Sequence, residues 1–162
     1  MINKDFRQLN SCRICEGHFD SKSLRLVDTP LANELYKTNS SSLEAEKFPL
    51  ELVICVECHH VQLKHIVSPK RLFSNYVYRS GASSFFRSHF SSLALEIAKR
   101  VPKASLVVEV GSNDGFLLGE LDKNGLNSVG IEPSEQLASL ARKMGNRTKT
   151  GYLSEEVVAE IV

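Results

Sequence analysis

The rhythm of apolar and polar positions changes twice along this chain. Over residues 1–70 there is little helical periodicity. Leu50, Leu52 and Ile54 alternate with Glu51 and Val53, which predicts a strand, and Val61-Gln62-Leu63 suits its return partner. Asp28 to Asn33 reads as a turn or loop, and Asn39-Ser40-Ser41-Ser42 as a polar loop. Residues 71–84 form a bridge rich in Tyr and Ser. Phe86, Phe90, Leu93, Ile97 and Val101 then recur at steps of three and four, so a helix with one apolar face is predicted. Ser83 or Ser84 is its N-cap, and Pro102 falls just past its end.

From Ser105 the pattern becomes that of a βαβ unit. Leu106 to Val110 is a short β-branched strand, expected to be buried on both faces. A helix begins at Phe116 and stops at Asn124-Gly125. Ser128 to Glu132 is a second strand, and Pro133 suits the first turn of the next helix. Leu137, Leu140, Ala141 and Met144 share a face there, and Gly145 closes it. Thr148 to Tyr152 is read as a third strand. Ser154 caps a last helix whose Glu155 and Glu156 suit the positive end of its dipole.

Composition adds mainly exclusions. Lys and Arg number 20 against 19 Asp and Glu, for a net charge of +1, so electrostatics makes no case for nucleic acid or an anionic membrane. The N-terminus has no apolar signal core, and no apolar run is long enough to span a bilayer. The expected compartment is therefore the cytoplasm, where thiols stay reduced.

There are four cysteines, Cys12, Cys15, Cys55 and Cys58, in two Cys-x-x-Cys pairs. Such a turn presents two thiolates to one ion, and two turns close a tetrahedral zinc shell with no place left for water. A structural zinc is predicted, in a unit too small to fold without it. The other readings are buried free thiols or a redox pair. His18, His59 and His60 flank the pairs and are expected outside the ligand set. The gap from Cys15 to Cys55 exceeds that of common zinc ribbons, so the intervening residues must make a sizeable excursion.

The second chemical feature is the turn Val108-Glu109-Val110-Gly111-Ser112-Asn113-Asp114-Gly115. Between a strand and a helix it suits a nucleotide-type cofactor. Its spacing is Gly-x-x-x-Gly, not the Gly-x-Gly-x-x-Gly of dinucleotide enzymes, so a tight pyrophosphate cradle is not expected. Glu132 ends the second strand 21 residues after Gly111, close to the usual spacing of about 20 for an acidic residue that binds ribose hydroxyls. Asn113 and Asp114 suit either cofactor contact or simple turn formation.

As an ordered set, these motifs resemble a known family. Cys-Arg-Ile-Cys, Pro-Leu-Ala-Asn, Phe-Pro-Leu-Glu-Leu-Val-Ile-Cys-Val-Glu-Cys and Val-Gln-Leu are similar to the zinc-binding domain of sugar C-methyltransferases. Tyr-Val-Tyr-Arg-Ser-Gly-Ala-Ser, Glu-Val-Gly-Ser-Asn-Asp-Gly and Gly-Ile-Glu-Pro-Ser continue the likeness. The resemblance implies an α/β chain. A zinc-binding domain would span residues 1–70 and a bridging segment and helix 71–104. The first βαβ part of a Rossmann-like methyltransferase domain would occupy 105–162.

It also implies S-adenosylmethionine (SAM) as methyl donor and a nucleotide-linked deoxy-keto sugar as acceptor, with no nucleic-acid or membrane partner. Carried over by position, Cys12, Cys15, Cys55 and Cys58 would bind zinc. Gly111, Asn113, Asp114 and Gly115 would line the methionine and ribose of SAM, with Glu109 supporting the loop. Glu132 would bind the ribose hydroxyls and Pro133 would shape the adenine edge. Tyr76, Tyr78 and Ser80 would close over the cofactor, with domain packing equally open for Tyr78. Family members continue through more sheet and a further domain that carries the catalytic His and Tyr. This chain is accordingly read as a fragment, with an open apolar edge on strand 106–110, and is not expected to turn over alone. His65 and His89 match no catalytic position. Two other functions stay open: a non-catalytic zinc module that binds a partner, and an NAD-dependent oxidoreductase half-domain.

Overall fold

Short antiparallel strands build the first part of the structure and a parallel βαβαβ run builds the second. The computed structural model describes residues 5–161, which divide into two units after Leu72.

The first unit contains β1 (Phe6–Gln8), β2 (Phe19–Thr29), α1 (Asn39–Leu43), β3 (Phe48–Cys55), β4 (Val61–Leu63) and β5 (His65–Val67), and leads into α2 (Pro69–Phe73). Strands β2, β3 and β4 form one antiparallel sheet in that order, and β1 pairs with β5 in another. The strand read at Leu50 to Ile54 is the centre of β3, and its return partner is β4. The cysteines decide which of its faces is buried. Cys55 is buried, and the two-residue period then turns Val53 and Glu51 inward with it. Glu51 is held by Lys64 Nζ at 3.1 Å, which lowers its carboxyl pKa. The opposite face carries Leu24, Leu26, Ile54, Val61 and Leu63, all exposed. Leu24 stands opposite Leu52, and Leu26 opposite Leu50.

Two local readings change. Asp28 and Thr29 belong to β2, because Thr29 pairs with Phe48. The excursion between the cysteine pairs therefore holds an eleven-residue strand, followed by α1 and β3. The polar loop at Asn39–Ser42 is helix α1, nucleated by a capping box. Ser41 N donates to Thr38 Oγ1 at 3.2 Å, and Thr38 N to Ser41 Oγ at 3.3 Å.

The second unit starts with a strap, residues 73–79, and a 3₁₀ turn at Ser80–Ala82. Then come α3 (Ser84–Arg100), β6 (Leu106–Val110), α4 (Phe116–Lys123), β7 (Asn127–Glu132), α5 (Glu135–Lys143), β8 (Thr148–Thr150) and α6 (Glu155–Ile161). The sheet is parallel with order β6-β7-β8. Ser83 caps α3, its Oγ accepting from Phe86 N. Ala94 of α3 packs with Leu121 and Leu126 to form a buried cluster, joined by Ile97, Ala98, Val101, Val107 and Leu117. The central strand β7 is buried from Ser128 to Glu132.

Strand β6 is not buried on both faces. Val107 and Glu109 are half-buried, whereas Leu106, Val108 and Val110 are exposed. Among the described residues β6 is an edge strand, with β7 on one side only. Pro133 lies outside α5, because Ser134 is the N-cap and its Oγ takes the Leu137 amide. Met144 is the exposed C-cap of α5, past the helical face that buries Leu137, Ala138 and Ala141. Strand β8 ends at Thr150, which frees Gly151, Tyr152 and Leu153 as loop.

Candidate functional site

The cysteine pairs fold into two knuckles of the same shape. Glu16 N donates to Cys12 O at 2.9 Å, and His59 N donates to Cys55 O at 3.1 Å. Glu16 and His59 are both left-handed, with φ of 61° and 59°. His59 thus closes its knuckle through the backbone, while His18 and His60 are exposed. The four Sγ atoms all lie within 4.8 Å of one another. Cys12 Sγ is 3.7 Å from Cys58 Sγ, and Cys15 Sγ is 3.5 Å from Cys55 Sγ. A tetrahedral zinc with Zn–S bonds of about 2.3 Å needs sulfurs about 3.8 Å apart, so the set fits this ion.

Backbone amides favour the thiolate at two of the cysteines, Cys12 and Cys55. Ile14 N donates to Cys12 Sγ at 3.4 Å and is the main cause holding the Cys12 thiol down at about 6. The Cys58 amide lowers Cys55 in the same way. Gln62, buried on β4, accepts from Arg13 N at 3.3 Å and Arg13 Nε at 3.4 Å, which ties the first knuckle to the sheet.

The second site is a cavity of about 460 Å³ in the second unit. It opens at the carboxyl ends of the parallel strands, where open α/β sheets bind ligands. Val110 and Gly111 follow from β6, Ile131, Glu132 and Pro133 from β7, and Gly151, Tyr152 and Leu153 from β8. Phe73, Tyr76 and Tyr78 of the strap, with Ser80 of the 3₁₀ turn, form its opposite wall.

The glycine turn is built by its own hydrogen bonds. Gly111, Asn113 and Gly115 are left-handed, with φ of 77°, 53° and 76°. Gly111 N and Ser112 N both donate to Ile131 O, at 2.8 and 3.2 Å. Asn113 N donates to Glu132 Oε2 and Asp114 N to Asn113 Oδ1, each at 2.8 Å. Gly115 N donates to Ser112 O at 2.9 Å. Every amide from Gly111 to Gly115 is therefore occupied. Glu132 also accepts from Ser134 N through Oε1 at 2.8 Å, so it staples the end of β7 to the turn while each oxygen keeps a lone pair.

The predicted cofactor residues separate into two layers. Tyr76, Tyr78, Ser80, Gly111, Asn113, Glu132 and Pro133 line the cavity. Glu109, Asp114 and Gly115 stand behind it. Asp114 is 1% exposed, and a Cβ on Gly115 would come within 2.8 Å of Ala141 Cβ. Glu109 Oε2 is buried without a hydrogen-bond partner, and burial, with Asp114 and Glu132 nearby, lifts its carboxyl to about 7. Sequence reasoning missed Phe73, Gly151, Tyr152 and Leu153. The Gly151-Tyr152 pair, read as strand, was the available signal for the last three.

Residues 12–73 match the family model Methyltransf_13, described as "Putative zinc binding domain". The C-methyltransferase NovU of Streptomyces niveus is 32% identical over 158 residues, which are 96% of this chain and 37% of NovU. Nearly the whole chain is therefore similar to part of a C-methyltransferase, and its first unit matches a zinc-binding domain. It spans just over a third of the length of that relative.

Two solved structures are also similar to it. Streptomyces venezuelae DesVI shares 26% identity over 38% of this chain and 29% of its own, with a TM-score of 0.34. The plantazolicin methyltransferase BamL, in complex with a triazolic desmethylPZN analog and SAH, shares 22% identity over 51% of this chain and 32% of its own, with a TM-score of 0.35. At these scores neither superposition bears on the fold. The domain match agrees with a zinc-binding first unit, and the second unit carries a partial Rossmann-like parallel sheet. No helix among the described residues is long and apolar enough to cross a membrane.

Proposed function

We propose that this chain supplies the structural zinc site and the SAM site of a cytoplasmic C-methyltransferase acting on a nucleotide-linked deoxy-keto sugar. The observation that carries the cofactor reading is the saturation of the glycine turn. A pyrophosphate needs free N–H groups at such a turn, and those from Gly111 to Gly115 are all spent on acceptors of the same chain. The cavity therefore suits a ligand without phosphate, which favours SAM over a nicotinamide dinucleotide.

The lining fits SAM in kind. Glu132 has lone pairs left for hydroxyl donors, and its negative charge favours a cation. Tyr76, Tyr78, Tyr152 and Pro133 offer flat apolar surface to a purine. When bound, SAM supplies an electrophilic methyl group. The chain's own residues orient it and exclude water, with the turn fixing the position of Glu132 and the strap covering one side. The likeness to NovU supports methyl transfer to carbon, and the sugar reading rests on the resemblance of the sequence motifs to sugar C-methyltransferases.

Because the chain has no Trp and four Tyr, three of which line the cavity, intrinsic tyrosine emission reports on binding. The expected result is saturable binding of SAM with no response to NADH, and loss of SAM binding in Glu132→Ala. Binding of NADH but not SAM would overturn the cofactor reading. Incubation with SAM and nucleotide-linked deoxy-keto sugars, with mass detection of a gained methylene on carbon, tests the acceptor.

A further inference from the structure

The strap that walls the cavity is held by side chains of the glycine turn more than thirty residues later in the chain. Asn113 Oδ1 accepts from Ser80 N at 3.0 Å and also from Asp114 N. Asn113 Nδ2 donates to Tyr78 O at 2.9 Å. Asp114 receives Gly81 N on both oxygens, at 3.2 and 3.1 Å, with Arg79 Nε 3.6 Å from its Oδ2. From α3, Arg87 Nη1 donates to Gly81 O at 2.8 Å and Ala82 O at 3.2 Å. A chain of aromatic rings secures the apolar side. Tyr78 meets Phe86 edge-on, Phe86 stacks on Phe90, and Phe90 contacts Phe116 at the start of α4.

We propose that Asn113 and Asp114 are positioning residues for the strap, acting on a bound ligand through Tyr78 and Ser80 and not through their own side chains. One of the two N–H groups of the Asn113 amide is spent on Tyr78 O and its oxygen accepts twice, and the Asp114 carboxylate is buried with both oxygens on Gly81 N. Asn113 suits this role because it tolerates a left-handed backbone and carries donor and acceptor together. Its N–H meanwhile orients Glu132, so one residue sets both walls of the cavity. The proposal rests on the cavity being the cofactor site, but its first readout needs no ligand.

The test is amide exchange of residues 76–82 by mass spectrometry on the zinc-loaded, ligand-free protein. Asn113→Gly keeps the backbone and should speed exchange in this segment about tenfold, the equivalent of one lost hydrogen bond. Asn113→Asp keeps the acceptor, loses the donor, and should fall between Gly and wild type. SAM titrations of Asn113→Gly, Tyr78→Ala and the double variant complete the cycle, and strongly non-additive losses are expected. Unchanged strap exchange in Asn113→Gly with weakened, additive binding losses would overturn the proposal and make Asn113 a direct ligand contact. If Asn113→Gly does not fold, Asn113→Asp decides, and wild-type exchange in that variant would also overturn it. Freed strap amides in a protein that never binds SAM would overturn the cofactor reading, and with it the action on a bound ligand, while Asn113 still positioned the strap.

Discussion

Glu109→Gln should remove most of a stability loss that the second unit suffers as pH rises from 5 to 7.5. Glu109 sits on β6 behind the glycine turn, with Oε2 buried and unpartnered. Burial first, then the charges of Asp114 and Glu132, raise its carboxyl from 4.5 to about 7. Below 4.5 the group is protonated in the folded and the unfolded chain and contributes no difference. As pH rises, the unfolded chain releases the proton first. The folded state keeps it until about 7, so stability is lost across this window and then levels off. At about 1.4 kcal/mol for each tenfold change in proton affinity, the full penalty is about 3 kcal/mol, a large share of the stability of a domain this size.

The assay is urea unfolding at closely spaced pH values, followed by tyrosine emission, since three of the four tyrosines lie in the second unit. Other titrating groups are common to both proteins and cancel in the difference. Any unmet donor of the new amide adds a constant offset that shifts this difference without tilting it. The variant should gain about 2.5 kcal/mol on wild type between pH 5 and 7.5, most of it below pH 7. A difference that stays flat over this range would refute the argument, because Glu109 would then ionise as an ordinary carboxylate.

The chain should carry one zinc ion per molecule, and chelation or Cys55→Ser should unfold the first unit, seen as loss of amide protection in β3 and β4. Zinc should also be released on acidification, because the ligands must be thiolates. Gly115→Ala should cost more than about 2 kcal/mol, since φ is +76° and the new Cβ would lie 2.7 Å from Asn146 Nδ2. Leu118→Ala, at a fully buried position of α4, should cost about 3 to 4 kcal/mol in the same unfolding assay.

What could be read from the sequence was whatever is encoded over short distances. The knuckles need only a Cys-x-x-Cys spacing, and α3 needs only its apolar step and Ser83. Strand β2 was invisible because it is nearly all exposed and mixes Asp20, Lys22 and Arg25 with Leu24 and Leu26. Only its pairing with β3 makes it a strand, and pairing is not a local property. The inward face of β3 was also hidden. Alternation marks two faces, and it was the cysteine shell that chose the one bearing Glu51.

The glycine turn shows the same boundary inside a single motif. Its glycines and the distance to Glu132 announce a ligand site; Gly111 and Glu132 line the cavity, while Gly115 packs behind it against Ala141. The sequence does not say where the turn's hydrogen bonds go, and this decides what the turn can bind. Glu132, legible as a partner for ribose, also takes the Asn113 and Ser134 amides. Asn113, legible as a cofactor contact or a turn former, reaches back to Tyr78 and Ser80. A turn that satisfies its own amides offers phosphate no free donor between Gly111 and Gly115, and its side chains become available to hold a wall. A motif with the same glycines but a hydrophobic residue at position 113 would lose the strap and leave Asp114 N without its acceptor. The ligand class is therefore set less by the glycine spacing than by the one polar side chain between the glycines that can serve a left-handed backbone and a distant strap together.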